Sequence, residues 1–368
     1  MSRNQIQQDA LDIAINNDRC GLGISMGVGK TRIGIQHLQA NYNQFVKALV
    51  VVPKLSIQKS WLDELIKMNL SDILLKHITF STYLSLSKQN ANDYDIIYLD
   101  ECHSLLDNHQ NFLNLYKGKI LGLTGTPPKR RGTEKYRMVQ KYCPIIYNFS
   151  VDQATDNNIL NNYKIIIHKL NLSGLPTLSK INNTTGGTWY TNEKKDYEYH
   201  TLKIINATTE KQKQFAAIMR MKAMMEYPTK ESYALGLIKN ISEKCIIFAN
   251  TQKQADRMCK HSYHSGNKNS ENNLELFCDG RIDKLSCVLQ LSEGVTISGL
   301  KEGIIMHAYG NERKTSQRIG RLLRLNPKEK AICHILCYEN TIDEKWVDSA
   351  LSGFDSTKIT RYNPLINK

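Results

Sequence analysis

With 368 residues, 41% hydrophobic and 23% charged, the chain is long enough for two ordinary cores and too apolar for a disordered polymer. Its 49 Lys and Arg against 35 Asp and Glu leave a formal charge of +14, which favours polyanionic partners, because each neutralised phosphate releases condensed counterions, although a merely basic surface has the same balance. No apolar run nears the roughly 20 residues of a bilayer span, the opening M-S-R-N-Q-I-Q-Q-D-A lacks a secretory plan, and nine Cys without framework spacing fit reduced thiols, so no membrane association and a cytoplasmic setting (host cytoplasm for a viral chain) are expected.

Taken in order, the first 150 residues alternate short β-branched runs with helical patterns. Strand-like runs fall at Cys20–Ser25, Lys47–Pro53, His77–Thr82, Asp95–Asp100 and Lys119–Thr124. Between them, Ser56–Met68 sets Ile57, Trp61, Leu62, Leu65 and Ile66 on one helical face. That alternation predicts a parallel sheet covered by helices.

The first strand runs into C-G-L-G-I-S-M-G-V-G-K-T, a Gly-rich loop ending in Gly-Lys-Thr, followed by a helical pattern over Arg32–Gln39. Ile24 occupies the position where the full phosphate-loop pattern has its first glycine. Gly27 and Gly29 let backbone N–H groups turn inward, Lys30 reaches β- and γ-phosphates, and Thr31 offers a hydroxyl to Mg2+ at a helix start. The bland alternative is a glycine-rich turn with a chance Gly-Lys-Thr. A second constellation argues against chance: Y-D-I-I-Y-L-D-E-C-H ends a buried strand in two adjacent carboxylates, Asp100 to hold magnesium and Glu101 to orient the attacking water.

On these residues the chain resembles helicases and translocases of superfamily two, with D-E-C-H standing where that group carries its D-E-x-H box. The non-glycine at Ile24 resembles the Swi/Snf-like branch, and the compact chain resembles phage recombination helicases. The resemblance implies that Gln7, in I-Q-Q-D-A, reads adenine. It implies that Lys54, after A-L-V-V-V-P, touches nucleic-acid backbone, and that L-T-G-T-P-P couples the ATP site to the strand through Thr124 and Thr126. It further implies that His103 links the nucleotide site to these motifs and that I-I-F-A-N-T opens the second lobe with Thr251 on nucleic acid. Thr79 and Thr82 either contact backbone phosphates or belong to an ordinary strand end.

The second half repeats the α/β rhythm, with strand-like runs at Tyr163–Leu170, Lys244–Asn250, Leu274–Cys278, Cys287–Leu291, Gly303–Tyr309 and Ala331–Tyr338. A polar stretch, Ser173–His200, reads as a hairpin or a loop, its Trp189 and Tyr190 either stacking on bases or anchoring the loop, and Thr209–Tyr227 reads as helix. Q-R-I-G-R-L-L-R places Gln317, Arg321 and Arg324 on one helical face with Arg318 rotated away, and the resemblance makes Arg321 and Arg324 arginine fingers supported by Gln317. Thr296 stands where the family carries an acidic or amide side chain, and it becomes a further candidate nucleic-acid contact with Gly294 nearby. Cys333 and Cys337 read as core, and Cys259, His261 and His264 lack the paired spacing of a zinc site.

The resulting expectation is an α/β protein of two tandem RecA-like lobes with an ATP cleft between them: lobe one over 1–148, lobe two over 149–345 with an insertion near 173–200, and a C-terminal tail over 346–368, the final segment from Thr341 starting with a helix, T-I-D-E-K-W-V-D-S-A-L, and ending irregularly. ATP and Mg2+ are the expected ligands, and nucleic acid, DNA ahead of RNA, the expected partner of a monomer. A DNA helicase or translocase of phage-type replication or recombination follows from the resemblance. An RNA helicase, an ATP-switched clamp and a motor subunit of a larger complex remain alternatives.

Overall fold

The computed structural model describes residues 1–181, 186–288, 297, 299–308, 315, 318–320, 322 and 329–364. The chain divides into two compact units, one built on Met1–Asn162 and one beginning at Tyr163. Among the described residues no helix is long and apolar enough to cross a membrane.

The first unit holds six strands: β1 (Arg19–Ile24), β2 (Ala48–Val52), β3 (Ile78–Thr82), β4 (Ile96–Asp100), β5 (Lys119–Thr124) and β6 (Ile145–Phe149). They pair in the order β3-β2-β4-β5-β1-β6, every neighbour parallel. Continuous apolar runs explain this: all five residues of β2 and of β4 are buried, as strands covered by helices on both faces require. Helices α1 (Arg3–Ile15), α2 (Lys30–Ala40) and α3 (Gln58–Lys67) lie in this unit. On α3 the expected stripe narrows, since Trp61 and Leu65 are buried while Ile66 is 61% exposed.

Strand order matters more than chain order for function. Placing β5 between β1 and β4 brings the carboxyl ends of three strands side by side, with Gly23 in register with Thr124 and Asp100 with Leu123. Ligands of open α/β sheets bind at that edge.

The second unit carries a seven-stranded sheet and a separate hairpin. Its strands are β7 (Asn162–Leu170), the hairpin pair β8 (Leu178–Ile181) and β9 (Thr188–Thr191), β10 (Cys245–Phe248), β11 (Ser262–Tyr263), β12 (Lys284–Cys287), β13 (Glu302–Ile305), β14 (Lys330–Tyr338) and β15 (Ile359–Tyr362). The sheet order is β11-β12-β10-β13-β14-β7-β15. Its core gathers Leu170, Met224, Tyr227, Ile247, Met306 and Tyr338, and it encloses a polar cluster in which Lys230 Nζ pairs with Asp343 and lies 2.8 Å from His307 Nδ1.

Several expectations are corrected. Leu274–Cys278 is not a strand but the end of a helix, Ser270–Cys278, because Leu274 and Phe277 are buried at a helical spacing of three. Of the strand expected at Cys287–Leu291, Cys287 ends β12, and 289–291 lie outside the described residues. Of the two readings of the polar stretch, the hairpin is found, β8 pairing with β9, followed by a helix, Glu193–Ile205, capped by Asn192. The first compact unit, which includes Met1–Asn162, carries a short helix, Val151–Asp156, under a Ser150 capping box. The tail is not wholly irregular: β15 pairs in parallel with β7.

Candidate functional site

At the carboxyl edge of the first sheet, β1 gives way to the glycine loop. Gly27 and Gly29 adopt φ of 87° and 114°, backbone that side chains with a Cβ rarely tolerate. A Cβ on Gly29 would also lie 2.4 Å from Gln7 Nε2. The loop is braced from α1, where Gln7 Nε2 donates to the Val28 carbonyl at 2.6 Å and Arg3 Nε donates to the same oxygen at 3.0 Å. Burial beside the loop lowers the affinity of the Arg3 guanidinium for its proton. Gln7 therefore shapes the loop through its amide nitrogen.

Lys30 starts α2 and Thr31 follows it. Lys30 Nζ donates to Glu101 Oε1 at 2.6 Å, with both side chains nearly enclosed, 12% and 10% exposed. Such a charge-assisted bond is roughly twice as strong as a neutral one. Glu101 sits at φ 51°, ψ 53°, a left-handed conformation uncommon outside glycine and concentrated at functional positions.

The other Glu101 oxygen faces β5. Its Oε2 lies 3.3 Å from His103 Nδ1 and accepts from Thr124 Oγ1 at 3.4 Å. His103 Nδ1 is 2.6 Å from Thr124 Oγ1, and the Thr126 amide donates to that same hydroxyl at 3.1 Å. Thr126 Oγ1 stands 3.5 Å from His103 Nδ1. One polar chain thus runs from Lys30 through Glu101, His103 and Thr124 to Thr126.

Asp100, 5% exposed, ends β4. The Trp61 indole donates to its Oδ2 at 3.0 Å, and the Tyr83 hydroxyl donates to its backbone carbonyl at 2.8 Å. Neither partner was legible as a site residue: Trp61 reads from the sequence only as a core position of α3, and Tyr83 only as part of a hydroxyl-rich strand end. The signal that could have marked Trp61 is its polar N–H, since a buried indole usually finds an acceptor.

Two candidate nucleic-acid contacts share this edge. Lys54 is exposed just beyond β2, and Thr82 closes β3 with its hydroxyl donating to Ser85 Oγ at 3.3 Å. Thr79 is separated from them: its register partner is Leu49 near the amino end of β2, three residues or about 10 Å along the strand from Thr82. In the second unit, Thr251 caps the helix Gln252–Met258, its hydroxyl accepting from the Gln254 amide at 3.1 Å. Gln317, Arg321, Arg324, Gly294 and Thr296 lie outside the described residues. Arg318 is 4% exposed, donates to the His307 carbonyl at 3.2 Å and covers the Phe248 ring. Cys333 and Cys337 are buried core.

The residues at the first edge fit a triphosphate and a divalent cation. The loop holds positive-φ glycines where a Cβ would intrude, a buried Ser25 hydroxyl without a hydrogen-bond partner among the described residues, a lysine, and two acids on one strand end.

Comparisons with known proteins bear on both halves. A family model described as the res subunit of type III restriction enzymes matches residues 1–129, and one described as the helicase conserved C-terminal domain matches residues 229–326. The DNA 3'-5' translocase XPB2 of Sulfurisphaera tokodaii is 24% identical over 366 residues, covering 90% of this chain and 80% of that protein. Two solved structures share the fold: the ATP-dependent type ISP restriction-modification enzyme LlaBIII bound to DNA, at 15% identity and a TM-score of 0.64, and the Mycobacterium smegmatis helicase Lhr bound to single-stranded DNA and AMP-PNP, at 13% and 0.54. Each covers 98% of this chain, while the chain spans only 31% and 49% of theirs. A restriction-subunit model thus matches in front and a helicase C-terminal model behind, and the two α/β units share the fold of solved helicase-type ATPases.

Proposed function

We propose that this helicase-type ATPase hydrolyses ATP at the carboxyl edge of the first sheet and uses the energy to move along or unwind DNA. The observation that carries the reading is the Lys30–Glu101 pair at 2.6 Å, continued through His103 and Thr124 to Thr126.

Thr31 and Asp100 would hold a magnesium ion, which supplies charge neutralisation for the transferring phosphoryl group. Lys30 neutralises phosphate charge, and the loop amides between Gly27 and Gly29 orient it. Glu101 positions the attacking water and receives its proton, while His103 and Thr124 hold the carboxylate's second oxygen. Thr126, at the far end of the same chain, is placed to report on a bound strand. Arg321 and Arg324, with Gln317 beside them, would contribute the arginine charge that such phosphoryl transfer uses. Lys54, Thr82, Thr251, Thr79 and Thr296 are the candidate strand contacts, and contacts to phosphate position a strand without reading its bases.

DNA is favoured over RNA because the relative matched over most of both chains is a DNA translocase. The same reading takes the protein to act as a monomer in the cytoplasm. The test is the ATPase rate measured in parallel against single-stranded DNA, duplex DNA, branched DNA and RNA at one stated salt concentration. Stimulation by DNA above RNA is expected; a rate indifferent to all four would remove the motor reading.

A further inference from the structure

Trp61 joins two parts of the candidate site that the sequence keeps apart, α2 and β4. It is fully buried on α3. Its ring edge packs so closely on α2 that a Cβ on Gly34 would sit 2.7 Å from Trp61 Cη2, and α2 is the helix that Lys30 and Thr31 begin. The ring also leans on Tyr98 of β4, with centroids 5.8 Å apart. From that wedge its N–H reaches Asp100 Oδ2 at 3.0 Å.

We propose that Trp61 is a positioning residue for the metal-holding acid, fixing the Asp100 carboxylate relative to α2 so that Asp100 and Thr31 address one cation together. This rests on the nucleotide reading given above. A hydrogen bond on one oxygen stops rotation of the carboxylate about its Cβ–Cγ bond, and partners of this kind tune metal affinity nearly as strongly as the ligands themselves. Tyr83 makes the effect separable from folding. Its hydroxyl holds the Asp100 backbone carbonyl at 2.8 Å, so loss of the indole N–H removes a bond to the side chain while the strand end stays anchored. A merely structural indole would stabilise the unit and leave the cation dependence alone.

The experiment titrates Mg2+ against binding of a fluorescent, non-hydrolysable ATP analogue to the full chain, comparing wild type, Trp61→Phe and Lys30→Ala. Trp61→Phe is expected to need roughly 10-fold more Mg2+ for half-maximal binding, with the wild-type plateau restored at high Mg2+. An unchanged Mg2+ midpoint in a Trp61→Phe protein that binds the analogue overturns the positioning role and leaves the nucleotide site standing. Equal binding by wild type and Lys30→Ala overturns the nucleotide site itself, and the positioning role falls with it.

Should Trp61→Phe not fold, the wild-type indole N–H resonance gives the answer. The chain has three tryptophans, so Trp189→Phe and Trp346→Phe assign the Trp61 signal. That signal should move when Mg2+ and the analogue are added together and hold still in Asp100→Asn; a signal that never moves overturns the proposal.

Discussion

Lys30→Met tests the charge pair at the centre of the site. Lys30 and Glu101 are 12% and 10% exposed and 2.6 Å apart, so the methionine variant strands a nearly enclosed carboxylate that keeps His103 and the Thr124 hydroxyl beside it. Breaking one side of a buried pair costs about 3–5 kcal/mol. The residual exposure and the polar groups still beside the carboxylate put the expected loss at the lower end, about 3 kcal/mol, or roughly 6–12 °C in the melting of a unit this size. Glu101→Gln in the same chain removes the stranded charge, so the double variant should recover most of that loss, giving a coupling energy of about 2 kcal/mol. The assay is urea unfolding followed by Trp61 fluorescence in a Trp189→Phe, Trp346→Phe background, which isolates the first unit because the other two tryptophans lie in the second. A Lys30→Met variant as stable as its parent, or a double variant as unstable as the sum of the singles, would refute the reasoning.

Gly29→Ala should weaken nucleotide analogue binding more than Gly27→Ala, because at φ 114° its Cβ collides with Gln7 at 2.4 Å while that of Gly27 meets only Leu160 at 3.0 Å; isothermal titration of both variants checks the order. Lys54→Ala should leave the DNA-independent ATPase rate intact and reduce the slope of log affinity against log salt by about 1, as loss of one phosphate contact requires. Burial pushes His307 and His168 down to about 3, so between pH 6.5 and 3 the unfolded chain binds protons that the folded second unit refuses. Stability of that unit should therefore fall as pH drops from 6.5 towards 3, by up to about 1.4 kcal/mol per pH unit for each histidine, and His307→Gln should flatten the slope in urea titrations at successive pH values.

The first unit was largely legible because its strands are uniform apolar runs and its chemistry sits at strand ends. Five strands and the helix after the glycine loop follow from those runs alone. β6 escaped because Asn148 interrupts the apolar run of Ile145–Phe149, whose residues 146 and 148 are exposed. L-E-L-F-C misled because five residues cannot distinguish a strand from the last turn of a helix, and only burial of Leu274 with Phe277 decides it. The grouping of Lys30, Glu101, His103 and Thr124 was anticipated by motif, but the Trp61 and Tyr83 bonds to Asp100 were not. Those bonds depend on how α3 and the segment after β3 fold back over β4, which linear spacing does not encode. Thr79 and Thr82 show the same limit: three residues in sequence become opposite ends of a strand.

The most direct measurement pairs ATP binding with ATP turnover in Glu101→Gln, in the presence of single-stranded DNA. The account predicts that the variant binds ATP as tightly as the wild type while turnover drops by about 100-fold or more, since its amide can neither orient the water nor accept its proton. Wild-type turnover in that variant would contradict it.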